Sequence, residues 1–307
     1  MNAFSLFDGE EHLRLSAGNG LQVSDSLLLC VLSALAYDEP DTVAATLPPL
    51  GLNVVAQFDR GETQAFAAAT DRELIVSFRG TAQRADWISD LDTRRIRTPF
   101  GKVHRGFSTA LDHVWPKLEA LIARERGTRA LWFTGHSLGG ALAALAAGRC
   151  ALAHRWPVAG LHTFGQPRVG NRTFANRLEG ALANRYFRFT NNLDTVPGIP
   201  SSWFYRHAGQ MIWFDKQGAL IMPTGMDAWG VYWMRSGFLS WELRGGDLVR
   251  VQKSYRDGKW QTDVDTLADH SIDTCRGLLG QALLSGHQPT RVTVKAARLL
   301  REGKDAA

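Results

Sequence analysis

A serine between two glycines stands near the middle of this chain, in Gly135-His136-Ser137-Leu138-Gly139. A serine hydroxyl becomes a nucleophile when a neighbouring base takes its proton and a third group orients that base. Its natural target is an acyl carbonyl, and the reaction needs donors aimed at the oxygen that gains charge. The glycines suit a tight turn. A Cβ at Gly135 or Gly139 would crowd backbones that must nearly touch if the hydroxyl is to be lifted out. So short a motif recurs by chance in many proteins, and its surroundings decide the reading. Five histidines follow it, His154, His162, His207, His270 and His287, and Asp194 lies in Asn192-Leu193-Asp194-Thr195-Val196-Pro197.

The elements around the serine narrow the choice. Ala130-Leu131-Trp132-Phe133 reads as a strand and the small-residue stretch from Gly140 to Cys150 as a helix. A serine on such a strand-to-helix turn is the nucleophile elbow of an α/β-hydrolase. The helix start brings unsatisfied N–H groups and partial positive charge beneath Ser137, which suits an oxyanion. That arrangement orders the catalytic groups along the chain as serine, acid, histidine. Asp194 fits the acid, just past the strand-like Arg185 to Thr190, where a parallel sheet presents functional groups. An Asx-type turn is the competing reading of Asp194. His270, in a polar loop that opens an apolar helix, fits the base better than the alternatives. His207 alternates with aromatic residues like a strand position, and His287 lies in a polar tail. His136 is expected to support the elbow with its side chain turned away from Ser137. The Leu138 N–H is the first oxyanion donor. Thr81, which follows an apolar strand and Gly80, supplies the second, against the alternative of an ordinary turn.

Hydrophobic periodicity places the remaining elements. Ser24 to Tyr37 reads as a helix capped by Ser24 or Asp25. Asn53 to Phe58, Thr63 to Ala69 and Glu73 to Phe78 read as strands, followed by a mixed loop to about Arg105. Gly106 to Arg124 reads as a helix turned or kinked at Pro116. Leu161 to Phe164 is a strand and Thr173 to Leu182 a helix, and two strands, Trp203 to His207 and Met211 to Phe214, flank Gly209. The alternation predicts an α/β fold of the α/β-hydrolase type, with a mostly parallel central sheet and helices on both faces. One domain over residues 1–307 is expected, with an arm at 1–23 and a tail at 285–307.

Composition bounds the function. The 307 residues are 45% hydrophobic and 21% charged, ordinary values for a globular domain with a substantial core. The net charge is +5 and the pI near 9.3, and the excess is spread along the chain, with no zinc spacing or RNA-binding aromatic motif. No nucleic-acid partner is expected, while a mild attraction to anionic membrane surfaces stays open. Cys30, Cys150 and Cys275 form no paired motif and predict no disulfide framework. The chemistry calls for no metal and no organic cofactor. The first fifteen residues lack the basic start and apolar core of a secretory signal, and no apolar run is long enough to span a bilayer. The expectation is a cytoplasmic protein, with export by a signal-less route as the alternative. Nothing in the sequence sets an oligomeric state.

Taken in order, several stretches resemble the class 3 lipases, the family that includes the filamentous-fungal triacylglycerol lipases. They are Phe78-Arg79-Gly80-Thr81, Asp86-Trp87, Lys102-Val103-His104-Arg105-Gly106-Phe107, Gly135 to Gly140, and Thr163-Phe164-Gly165-Gln166-Pro167-Arg168-Val169-Gly170. Asp194-Thr195-Val196-Pro197, Tyr205-Arg206-His207 with Gly209, and Asp269-His270 complete the set. The resemblance implies a triad of Ser137, Asp194 and His270 with Thr81 and Leu138 at the oxyanion hole. It implies hydrolysis of acylglycerol esters, a lipid ester as substrate and transient contact with a lipid–water interface. It also implies a lid helix over residues 84–92, where Trp87, Ile88 and Leu91 are apolar beside Arg84, Asp86, Asp90 and Asp92. A fixed helix packed on the core is the alternative.

Residues 215–246 depart from the family pattern and are rich in aromatics and methionine, among them Met222, Trp229, Trp233, Phe238 and Trp241. They read either as a subdomain with its own small core or as an acyl-binding wall, second lid or membrane-contacting surface. Thr290 to Lys304 has the spacing of a basic amphipathic helix. The rival functions are a phospholipase A1 or a small-ester or feruloyl-type esterase on the same scaffold, and a non-catalytic lipid-binding module.

Overall fold

Strands apolar on both faces must lie between two layers of helix, and three segments here have that character. In β2 (Thr63–Ala69), Ala65, Ala67 and Ala69 face one layer while Phe66 and Ala68 face the other. In β3 (Glu73–Phe78), Leu74, Val76 and Phe78 oppose Ile75, and in the strand over Ala130–His136, Leu131 and Phe133 oppose Trp132. The structure, a computed structural model, describes residues 15–16, 20–81, 93–192, 194–214, 218–224, 238–244, 247–256, 259–265, 270–286 and 290–293.

The chain begins with α1 (Val23–Leu35), α2 (Pro40–Thr46) and β1 (Asn53–Arg60), ahead of β2 and β3. A hairpin of β4 (Arg95–Thr98) and β5 (Gly101–His104) leads into α3 (Arg105–Glu125). Alternation of strand and helix follows: β6 (Ala130–His136), α4 (Leu138–Gly148), β7 (Val158–Phe164), α5 (Arg172–Ala181) and β8 (Tyr186–Asn191). The last elements are β9 (Gln210–Phe214), β10 (Leu220–Thr224), β11 (Phe238–Arg244), β12 (Asp247–Arg256), β13 (Lys259–Asp265), α6 (Ile272–Leu284) and β14 (Thr290–Thr293).

Nine strands form the main sheet in the order β1-β2-β3-β6-β7-β8-β9-β10-β14. The run from β3 to β9 is parallel, as is β10 with β14, while β1, β2 and β3 are joined antiparallel and so are β9 and β10. The sheet is therefore mostly parallel. Helices α3, α4 and α5 cover one face, and α1 and α6 cover the other. Register sets the site. Phe78 pairs with Gly135, His136 with Phe164, and Phe164 with Phe189, so the carboxyl ends of β3, β6, β7 and β8 stand level. The loops that carry Thr81, Ser137, Gly165 and Asp194 all leave from that edge.

Several local expectations need correction. Helix α1 is capped at Gln22, not at Ser24 or Asp25. Val23 is buried and draws the helix start forward, while the Asp25 carboxylate accepts the Ser16 N–H at 3.0 Å instead. Helix α3 runs unbroken through Pro116, held by the buried face of Leu111, Val114, Trp115 and Leu118. Residues 95–104, read as loop, form the β4–β5 hairpin. Trp203 to His207 is not a strand. The Phe204 and Tyr205 N–H groups both turn back to the Ser201 carbonyl at 3.2 Å, and Arg206 forms an isolated bridge to Gly170. Thr290–Thr293 pairs with β10 as a strand instead of opening a helix.

Strands β11 to β13 form a separate antiparallel sheet. The lid stretch 84–92 and, within the 215–246 segment, residues 215–217, 225–237 and 245–246 lie outside the described residues. Among the described residues no helix is long and apolar enough to cross a membrane. All three cysteines are buried free thiols, and burial pushes Cys150 up to about 12.

Candidate active site

Ser137 sits between β6 and α4 with φ 58° and ψ −127°. Only glycine enters that region freely, so a serine there costs about 1–3 kcal/mol and persists because its surroundings hold it. The Ser137 N–H donates to the Phe164 carbonyl of the next strand at 2.9 Å, and the Ser137 carbonyl accepts from Gly140 at 3.0 Å. Neighbouring backbones close in on both sides. A Cβ on Gly135 would strike the Gly139 carbonyl, and one on Gly139 would strike the Phe78 carbonyl. The 78–81 segment therefore lies directly over the start of α4, and a Cβ at Gly80 would come within 3.2 Å of the Ser137 Cβ. Thr81 is the next residue and is half-buried, as is Leu138. Leu138 is the first residue of α4, whose opening N–H groups have no intrahelical acceptor.

The residues expected as acid and base come from elements far apart in sequence. His270 precedes α6 and Asp194 follows β8, yet His270 Nδ1 lies 2.8 Å from Asp194 Oδ2, with side chains 0% and 2% exposed. The other Asp194 oxygen, Oδ1, accepts the Val196 N–H at 2.9 Å. That second bond is an Asx-type turn. The two readings of Asp194 are thus compatible, one oxygen shaping its loop and the other holding the imidazole. Gly165 (φ 57°) forms the floor beneath the pair. A Cβ there would come within 2.5 Å of His270 Nδ1 and 2.9 Å of Asp194 Oδ2. With the Nδ1 proton directed at the carboxylate, Nε2 carries the lone pair that a base requires. The Ser137 hydroxyl is buried and makes no hydrogen bond among the described residues. Nucleophile–base contacts in substrate-free sites are often long and tighten when substrate binds.

A further layer backs these groups, and most of it is absent from the sequence reading. The His136 ring stacks on the His270 ring at 4.5 Å, and His136 Nδ1 lies 2.8 Å from the Tyr37 hydroxyl. Tyr37 follows α1, 99 residues away from His136, and no local signal marks it. His207, the alternative base, is instead a strut. Its Nε2 donates to the Pro197 carbonyl at 2.9 Å, and burial, with Arg188 and Arg168 nearby, holds its pKa well below the usual histidine value. Arg168 donates to the Gly198 carbonyl and to the Pro200 carbonyl at 2.7 Å. Both residues pin the loop that follows Asp194. Trp87, Ile88 and Leu91, the lid candidates, lie outside the described residues.

Residues 75–204 match the family model described as lipase (class 3). A lipase of Rhizomucor miehei is 34% identical over 168 residues, which cover 50% of this chain and 45% of that protein. The secreted mono- and diacylglycerol lipase 1 of Fusarium solani is 35% identical over 158 residues, 48% of this chain and 46% of that one. The chain thus spans less than half the length of these two relatives. Among solved structures, the triacylglyceride lipase of Rhizomucor miehei aligns with a TM-score of 0.60 at 26% identity, covering 65% of this chain and 83% of the other.

Proposed function

We propose that this chain, whose residues 75–204 match the class 3 lipase family, hydrolyses the acyl ester bonds of glycerolipids through an acyl-enzyme. The observation that carries the proposal is Ser137, held at φ 58° on the turn into α4, at the same sheet edge as the buried Asp194–His270 pair. His270 Nε2 takes the hydroxyl proton as Ser137 Oγ bonds to the acyl carbon. The carbonyl electron pair moves onto oxygen, where the N–H groups of Leu138 and Thr81 receive it. Asp194 stabilises the imidazolium and keeps the tautomer correct. Collapse expels the alcohol, which leaves with the proton from Nε2. Water then enters, gives a proton to Nε2 and releases the fatty acid by the same sequence. The relative named as a mono- and diacylglycerol lipase supports an acylglycerol substrate, and transient contact with a lipid–water interface belongs to the same reading.

The test is Ser137→Ala, assayed on emulsified triglyceride, on phospholipid and on a monomeric ester. All hydrolysis is expected to fall by at least about 10⁴-fold, with the circular dichroism spectrum unchanged. An organophosphonate should label Ser137 in the parent protein. Activity near the parent level in the alanine variant would refute the assignment. The ranking of the three substrates in the parent identifies the ester class.

A further inference from the structure

Trp203 and Phe204 are 81% and 61% exposed, adjacent in sequence, in a molecule whose other large aromatics with described side chains are mostly buried. Isolated exposed apolar residues are ordinary, but a side-by-side pair of large rings marks a contact surface. The pair sits on the loop that leaves the sheet edge of Ser137 after Asp194 and crosses to the start of the parallel strand β9 at the opposite edge.

This loop is firmly mounted. The Arg95 guanidinium lies 5.1 Å from the Phe204 ring centre and 5.7 Å from that of Tyr205, and its Nη1 donates to the Phe204 carbonyl at 3.1 Å. The Tyr205 hydroxyl donates to the Thr93 carbonyl at 2.8 Å, and its ring lies 5.9 Å from that of His104. The rings are thus presented by the β4–β5 hairpin.

The mount is also basic. Residues 93–108 and 195–208 contain six cations, Arg94, Arg95, Arg97, Lys102, Arg105 and Arg206, and no carboxylate. Ile96 packs toward the core with Val103, so strand alternation turns Arg95 and Arg97 to the opposite side, and Lys102 is the cross-strand partner of Arg97. Arg97 is exposed and Lys102 half-exposed. Tryptophan favours the boundary between water and lipid, and cations beside it select an anionic headgroup layer. A protein partner would need a shaped acidic surface, whereas two rings inside a cationic collar suit a fluid, negatively charged plane.

We propose that Trp203 and Phe204, collared by Arg95, Arg97 and Lys102, form a fixed anchor that docks the protein on anionic lipid surfaces. That the docked layer also holds the substrate rests on the glycerolipid-hydrolase reading above, whereas the docking itself does not.

The test uses the full chain carrying Ser137→Ala, so that the lipid survives. Co-sedimentation is measured with vesicles of phosphatidylcholine alone and with about 30% phosphatidylglycerol. Binding to the mixed vesicles is expected to be at least about tenfold tighter. Trp203→Ser with Phe204→Ser should weaken it by about tenfold or more. Arg97→Gln with Lys102→Gln should erase the preference for phosphatidylglycerol while the rings still bind. With Ser137 intact, the Trp203/Phe204 variant should hydrolyse a soluble monomeric ester within about twofold of the parent, which shows that it folds. Vesicle binding unaffected by the ring substitutions overturns the anchor. So does a dimer in sedimentation velocity that the same substitutions dissolve. If the parent lacks ester hydrolysis, the hydrolase reading falls and the vesicle data still judge the anchor.

Discussion

Asp194 does two jobs with two oxygens, and they can be separated. Oδ1 accepts the Val196 N–H and shapes the loop, while Oδ2 holds His270 Nδ1 at 2.8 Å. In Asp194→Asn the amide oxygen can still close the turn, but the partner of His270 loses its charge and its control of the tautomer. Activity should fall by about 10⁴-fold, with the urea midpoint nearly unchanged. Asp194→Ala should lose comparable activity and also about 1 kcal/mol or more of stability, because the turn loses its acceptor. Equal urea midpoints for the two variants would argue against the structural role of Oδ1. His136 acts at the same scale. Its ring fills the space beside His270, and Tyr37 holds it there.

At the scale of elements, the unit that matters is strand β6, the Ser137 turn and helix α4. Every residue of α4 after Leu138 is buried, so this helix lies against the sheet with no solvent face. Its approach is close enough that a methyl group on Gly139 would overlap the Phe78 carbonyl. The contact is backbone against backbone, and no side-chain rotation relieves it. Gly139→Ala should therefore cost about 3 kcal/mol or more, read as a lowered urea midpoint, and should displace the 78–81 segment that carries Thr81. Parent-like stability would show that the elbow is looser than this packing requires.

For the molecule as a whole, two of the buried imidazoles, those of His162 and His207, contribute to the response to acid. Burial pushes His162 down to about 3 and, with help from two arginines, holds His207 well below its ordinary value. The folded protein keeps both neutral, while the unfolded chain takes up a proton at each as pH falls past about 6.5. Stability is therefore complete above that pH and drains as pH drops through it. Asp25 works in the opposite direction. Burial raises it from 3.8 to about 6, so its contribution is present below 3.8 and is lost as pH rises toward 6. The two histidines together outweigh the one carboxyl, so the unfolding free energy should fall between pH 6.5 and pH 5. His162→Gln should reduce that slope by about one proton. Urea titrations across this range check both, and an unchanged slope in the variant would show that His162 is not protonated on unfolding.

The sequence by itself determined the parts whose information is local. Near-continuous apolar runs mark β2 and β3 because each strand must satisfy two apolar layers. The Gly135-to-Gly139 spacing marks the elbow because the turn tolerates no Cβ beside the serine. Asp194 and His270 could be singled out because few polar candidates follow the elbow in the required chain order. The tertiary structure alone decided which distant groups meet. Tyr37 reaches His136, and His207 and Arg168 pin the Asp194 loop, only because the parallel register of β3, β6, β7 and β8 levels their ends. The same holds for the 201–205 turn. Its alternating residues read as a strand, yet bonds to Ser201 and the clamp from Arg95 fold it back and turn Trp203 and Phe204 outward. Pairing across such separations depends on sheet register and on which backbone groups remain to be satisfied, and neither is written in any short stretch of chain.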